Sequence, residues 1–187
     1  MKESKLYTFS LPIIKIFVKI ILRPKIINKE YITDEKLILA GTHTHDLDCL
    51  LLMASTKRHV HFLAKKELFE GKFKFIFKNM DLIPVDRKIK DKSVIPAAEK
   101  YLKQNKLIGI FPEGTYSKKH ELLPFKIGTI KIAHDTNTKI VPFVIKGQYF
   151  KKGLKIIYGE PFKVESDNLE EENKKFRDKI IKMLEEN

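Results

Sequence analysis

Six short apolar runs, spaced between longer amphipathic segments, constrain the fold of this chain more than any other feature. They span 36–41, 59–64, 82–85, 107–111, 139–146 and 154–158. Each has the length and composition of a strand. Helical patterns fill 46–56, 66–78, 92–105, 126–135 and 168–186. Strands alternating with helices imply one α/β domain, a central sheet with helices on its faces. A length of 187 residues, 43% of them hydrophobic, is enough for such a core. No internal repeat and no low-complexity linker divides the chain.

Two segments carry less certain patterns. Phe73, Phe75 and Phe77 alternate with Lys72 and Lys74 as in a strand, yet Leu68, Phe69, Lys72, Phe73, Ile76 and Phe77 also suit a helix with a mixed stripe. The Phe-rich stretch 69–77 serves equally as core or as the lining of an apolar groove. The C-terminal run 168–187 is rich in Glu and Lys, with Leu169, Phe176, Ile180, Ile181 and Leu184 on a stripe, and reads as a solvated closing helix.

The formal net charge is +13. A field of that sign favours an anionic partner: nucleic acid, anionic lipid, a phosphorylated substrate or an acidic carrier protein. The cations are scattered, and no nucleic-acid-binding signature accompanies them, so no nucleic acid is expected. One cysteine excludes an internal disulfide framework. No run of eighteen apolar residues is present, and no secretory signal is convincing.

The nearest approach to a membrane element is residues 9–22, interrupted by Lys15 and Lys19 and followed by Arg23. Cations four residues apart share one side of a helix, while Ile13, Ile14, Phe17, Ile20 and Ile21 cover much of the rest. Such a helix suits the bilayer interface, where each cation near an anionic surface contributes about 1 kcal/mol. The competing reading packs the helix on the domain with its cations solvated. The chain is accordingly divided into an amphipathic, membrane-associating segment, 1–28, and a catalytic domain, 29–187.

Chemistry is expected where the first apolar run, Leu37 to Gly41, gives way to Thr42-His43-Thr44-His45-Asp46-Leu47-Asp48. A His can act as a general base, and an Asp can fix its tautomer and support its charge. Five residues along a regular helix leave two side chains about 140° apart. His43 and Asp48 therefore meet only if His43 lies in the turn and Asp48 in the first turn of a helix, with Thr44 or a neighbour capping it. His43-Thr44-His45 also resembles the start of a zinc-hydrolase ligand run, His-x-His-x-Asp-His. Leu47 and Asp48 stand where that pattern needs Asp and His, and no metal is expected. His59 and His61, on one face of a strand, read as structural.

Other elements reinforce the site. Phe111-Pro112-Glu113-Gly114-Thr115 follows the run at 107, Asp86-Arg87 ends the run at 82, and Phe125-Lys126-Ile127-Gly128 comes later. Turns beyond the carboxyl ends of strands are where α/β sheets hold ligands, and an Arg there can fork onto a phosphate.

In order and spacing these motifs resemble the glycerolipid acyltransferases, the family that includes 1-acyl-glycerol-3-phosphate acyltransferase. His43 and Asp48 match its His-x4-Asp motif. Ala64 to Leu68, Asp86-Arg87, Phe111 to Ser117, Phe125 to Gly128 and Val141-Pro142 match its later ones. The resemblance covers about residues 35–160. Thr42 stands for the usual Asn, His45 for Ser, Asp81 for a Gly, and Tyr116 for Arg.

The resemblance implies a mixed sheet flanked by helices, of the glycerol-phosphate-acyltransferase type. It also implies transfer of a fatty acyl group from acyl-CoA or acyl carrier protein to a lysophospholipid, foremost 1-acyl-glycerol-3-phosphate, giving phosphatidic acid. His43 would be the base and Asp48 its orienting partner. Lys65 and Arg87 would hold the acceptor phosphate. Glu113, Gly114 and Thr115 would shape the acceptor site, with Glu113 bonding a glycerol hydroxyl and backbone N–H groups near Gly114 meeting the oxyanion. No cofactor is implied, and the protein would sit peripherally on an anionic membrane at the cytoplasmic face. Another acceptor, or a non-enzymatic basic nucleic-acid- or lipid-binding protein, is the alternative. Cys49, beside Asp48, reads as an inert buried thiol rather than an acyl-enzyme nucleophile.

Overall fold

The computed structural model describes residues 4–72, 74–86, 94–116 and 121–186. Seven strands form one sheet: β1 (Lys25–Ile27), β2 (Leu37–Gly41), β3 (Val60–Lys65), β4 (Ile83–Val85), β5 (Leu107–Ile110), β6 (Lys139–Lys146) and β7 (Lys155–Tyr158), in the spatial order β1-β7-β6-β2-β5-β3-β4. β6, β2, β5, β3 and β4 run parallel, β7 is antiparallel to β6, and β1 is parallel to β7. The sheet is mixed, as expected.

The central strands are apolar throughout because both of their faces are covered. Leu37 and Leu39 of β2, with Phe62, Val141 and Phe143, point into a core shared with α1 (Lys5–Phe17) and α2 (Asp48–Ser55). Ile38 and Ala40, with Ile108, Ile140 and Val144, point the other way. There they meet Ala98 and Leu102 of α4 (Val94–Leu102), Ile130 and Ala133 of α5 (Gly128–Asp135), and Phe176 and Ile180 of α6 (Leu169–Glu186). The period of two along a strand thus divides one hydrophobic run between two layers. α6 is entered through Asn168, whose Oδ1 accepts the N–H of Glu171 at 3.2 Å, and three Glu residues fill its first turn.

α1 continues as a wider helical turn over Val18–Leu22 and ends at Arg23, in the left-handed region at φ 48°. Tyr7, Val18 and Leu22 are buried in the common core, and β1 is the sheet's edge. Residues 4–28 therefore pack into the same core as the rest of the domain.

The helix expected over 66–78 is broken: a 3-10 turn at Lys66–Phe69 precedes a single short helix, α3 (Lys74–Lys78). Phe75 and Ile76 are exposed, so they are not core. β1 is the one strand that the pattern did not announce, since three residues beginning with a Lys leave no alternation to read.

Candidate active site

The five parallel strands all deliver their carboxyl ends to one edge of the sheet. Residues 42–48 follow β2, 111–116 follow β5, Lys65 closes β3, Asp86 follows β4, and Tyr149 lies just past β6. The chain must turn sharply out of β2. At Gly41 a Cβ would stand 1.8 Å from the carbonyl oxygen of Phe143, so only glycine fits between these strands. Thr42 then turns its Oγ1 inward to accept the N–H of Ile145 at 2.9 Å, which locks the exit of β2 onto β6. That is the role of the residue standing where an Asn was expected.

His43 and Asp48 meet as the spacing required. His43 sits in the turn, Asp48 opens α2, and Nδ1 lies 2.9 Å from Oδ2. Asp48 is fully buried, and burying an unsupported carboxylate would be prohibitive. Five hydrogen bonds support it. Oδ2 takes His43 Nδ1, the N–H of Thr44 at 2.6 Å and that of His45 at 2.9 Å; Oδ1 takes the hydroxyls of Thr44 at 3.2 Å and Tyr149. A carboxylate only accepts, so the proton between the pair belongs to Nδ1, and Nε2 carries the lone pair. The capping expectation is reversed: Thr44 does not cap α2, but the first residue of α2 gathers the turn before it.

The imidazole is held from three further sides. Phe111 stacks on it, centroids 4.0 Å apart and planes 16° from parallel, and Tyr116 stands edge-on at 5.3 Å. Behind it, Glu113 accepts the backbone N–H of His43 on Oε1 at 2.9 Å and that of Leu123 on Oε2 at 2.8 Å. Glu113 is 5% exposed. Burial raises its carboxyl above the usual range, against the lowering effect of the two N–H groups. Both of its oxygens brace the backbone.

Gly114 adopts φ +71°, and a Cβ there would meet the Lys126 side chain at 2.7 Å. Its own N–H donates to the carbonyl of Phe111 at 2.9 Å. Thr115 is exposed, as is Lys65 at the end of β3, where neighbouring Lys66 stands 3.9 Å from Asp86. Arg87 lies outside the described residues. Tyr116, in place of the usual Arg, donates its hydroxyl to Asp46 at 3.2 Å. Asp81, in place of a Gly, has φ +51°, which accounts for the glycine expected there; Asp is among the few residues that tolerate this region.

Two participants escaped the sequence. Tyr149 reaches Asp48 from 101 positions away, and its ring stacks on His45 at 4.4 Å. No local pattern marks it. Lys126 lay inside a recognised motif, but only the fold brings its ammonium over Gly114. Cys49 faces burial and the charges of Asp48 and Asp46, which push its thiol up to about 12.

Residues 23–146 match the acyltransferase family model. Over 165 residues the chain is 34% identical to the 1-acyl-sn-glycerol-3-phosphate acyltransferase of Bacillus subtilis (strain 168), covering 83% of this chain and 82% of that protein. It is 32% identical over 164 residues to the enzyme of the same name from Borreliella burgdorferi, covering 79% and 66%. The crystal structure of the 1-acyl-sn-glycerophosphate (LPA) acyltransferase from Thermotoga maritima superposes with a TM-score of 0.77 at 23% identity, covering 96% of this chain and 80% of that one, a likeness of fold.

Proposed function

The chain belongs to the acyltransferase family and is an O-acyltransferase; we propose that it moves a fatty acyl group from acyl-CoA or acyl carrier protein to the free hydroxyl of 1-acyl-glycerol-3-phosphate, giving phosphatidic acid. The observation that carries this reading is the His43–Asp48 pair, with Nδ1 committed to the carboxylate and Nε2 left to take a proton. The acceptor is the one named in relatives from Bacillus subtilis and Borreliella burgdorferi.

In the proposed reaction Nε2 of His43 takes the hydroxyl proton as the oxygen attacks the thioester carbonyl. The carbonyl becomes an oxyanion, the C–S bond breaks as it collapses, and the imidazolium returns its proton to the departing thiolate. Asp48 stabilises the imidazolium. A positioned base of this kind accelerates transfer by about 10²–10⁴-fold. Since the Gly114 N–H is already engaged, the oxyanion falls to the N–H groups of Thr115 and Tyr116. Lys65, Arg87 and Lys126 are assigned to the acceptor phosphate. Gly114 and Thr115 shape the acceptor site, and Glu113 does so indirectly, by holding the backbone of His43.

No helix among the described residues is long and apolar enough to cross a membrane. The reading has the protein sit peripherally, at the cytoplasmic face of an anionic bilayer, with α1 as the contact. The test is acyl transfer by purified protein in the presence of liposomes, with both donors crossed against lysophosphatidate, other lysophospholipids and glycerol phosphate. Lysophosphatidate should be the preferred acceptor, and H43A should lose at least 100-fold in kcat. Undiminished turnover in that variant overturns the mechanism, and preference for another acceptor overturns the substrate.

A further inference from the structure

Away from the catalytic edge, the start of β3 and the turn before β4 bring together His59, His61 and Asp81. One ligand atom from each lies within 4.8 Å of the others, which makes this the one such grouping of three or more His, Cys, Asp or Glu among the described residues. His59 Nε2 is 3.8 Å from an Asp81 carboxylate oxygen.

We propose that His59, His61 and Asp81 form a binding site for a divalent transition metal of the zinc type, independent of the acyl-transfer centre.

Three observations carry it. His59 is 8% exposed, yet neither of its ring nitrogens has a hydrogen-bond partner. Buried polar atoms are ordinarily satisfied, so an orphaned ring nitrogen here is open to a ligand. His61 places Nδ1 3.1 Å from the carbonyl oxygen of Asp81. A bond there puts the proton on Nδ1 and the lone pair on Nε2, the arrangement by which backbone carbonyls orient metal-binding imidazoles. Finally, the Asp81 carboxylate, 3.8 Å from His59 Nε2, adds an oxygen donor to the same grouping.

The donor set is suitable once one ring turns. His59 is stacked between Tyr7 at 3.4 Å and His61 at 4.3 Å, the latter pair 9° from parallel. A metal lies in the plane of each imidazole that binds it, so these parallel rings share one ion only after one of them turns about its Cβ–Cγ bond. Histidines two apart on a strand present their rings to the same side. Two imidazoles and a carboxylate are a borderline nitrogen–oxygen set of the kind zinc takes, with a fourth position for water. Tetrahedral ligands stand about 3.4 Å apart around zinc, so separations of up to 4.8 Å must contract by up to about 1.4 Å.

A bound ion would also fasten α1. The Asp81 carboxylate accepts the backbone N–H of Ser4, the residue that caps α1, at 2.6 Å. Tyr7, on the same helix, covers His59. The metal would tie the N-terminal helix to β3 without touching His43.

The experiment is a titration of metal-free full-length protein with Zn2+, following Tm and stoichiometry, and with Co2+, following visible d–d absorption. One ion per chain, a rise in Tm and a tetrahedral Co2+ spectrum are expected, with affinity lowered at least tenfold in D81G and in H59Q. D81G keeps the test sound if H59Q does not fold, because glycine suits φ +51°. H43A should bind normally. No Tm shift in the wild type, or the same shift in D81G and H59Q, overturns the site. Loss of binding in H43A would move the metal to the catalytic edge and overturn it as well. Acyl transfer by the metal-free protein is read separately, so either proposal can fail alone.

Discussion

Tyr149 donates its hydroxyl to Oδ1 of Asp48, joining the segment after β6 to the first residue of α2. It covers the side of the carboxylate that His43 does not. Burial and the neighbouring Asp48 hold the phenol well above its usual range, so it remains a donor at every working pH.

In Y149F, Asp48 would keep four of its five hydrogen bonds and His45 would keep a ring to stack on. One hydrogen bond to a buried charge contributes about 1.5–3 kcal/mol. Part of that should appear in the barrier, because Asp48 must support an imidazolium only as the reaction proceeds. The expected result is kcat lowered by about tenfold, corresponding to about 1.4 kcal/mol, with KM unchanged. A lower Tm with kcat per folded molecule intact would make Tyr149 a structural residue only.

This residue also marks the limit of what the chain reveals before folding. The parallel core was legible because Leu37–Gly41, Leu107–Ile110 and Lys139–Lys146 are buried on both faces and so apolar at nearly every position. The His43–Asp48 contact was legible because its partners are five residues apart and a strand-to-helix turn can join them in only a few ways. Tyr149 and Lys126 meet the site through sheet pairing, which no local pattern encodes. The break after Phe69 was hidden for another reason: lysines and phenylalanines there satisfy helix and strand periods alike. β1 was hidden by its brevity.

Cys49 tests whether the acyl group visits the protein. Its thiol is held protonated to about pH 12, chiefly by burial and then by Asp48 and Asp46. A thiolate nucleophile is therefore absent near neutrality. Native protein should resist iodoacetamide at pH 8 and react once unfolded in urea, and C49A should keep kcat within about twofold. The corresponding stability cost is about 1 kcal/mol, typical of a modest core truncation. Rapid labelling of the native thiol, together with inactivation, would instead make Cys49 part of the chemistry.

Glu113 gives stability a defined pH dependence. Its folded pKa lies above the unfolded value, about 4.3, because burial outweighs the bonds from His43 and Leu123. The folded state thus binds the proton more tightly than the unfolded chain does. The associated stabilisation is fully present below about pH 4.3 and is lost as pH rises through the folded pKa. E113Q does not titrate. The stability of wild type relative to E113Q should therefore be greatest near pH 4 and shrink on going to neutral pH, as read from urea midpoints across that range. At pH 7, E113Q leaves one backbone N–H without a carboxylate oxygen, costing about 1–3 kcal/mol, and should lower kcat through the loosened backbone of His43. A wild-type advantage that grows with pH would show that the two N–H groups outweigh burial.

α1 carries two apolar stripes on opposite sides. Tyr7, Leu11, Ile14 and Val18 face the core, whereas Phe9, Ile13, Ile16 and Ile20 are 75%, 60%, 59% and 55% exposed. At 100° per residue the two sets lie about half a turn apart, with Lys15, Lys19 and Arg23 along one flank between them. The helix therefore packs on the domain and also presents a second apolar face. Four large side chains in water on one stripe form a patch with a use, and cations beside it suit anionic headgroups. Burying each large side chain contributes about 1.5–3 kcal/mol, against about 1 kcal/mol per cation. I13E/I20E should consequently abolish sedimentation with vesicles of any charge while leaving Tm unchanged, because neither residue touches the core. K15E/K19E should weaken binding to anionic vesicles by about tenfold or more and leave the weak binding to neutral ones as it was. If I13E/I20E partitions like the wild type, the exposed stripe is not what meets the bilayer, and the acyl chain must reach His43 by another face.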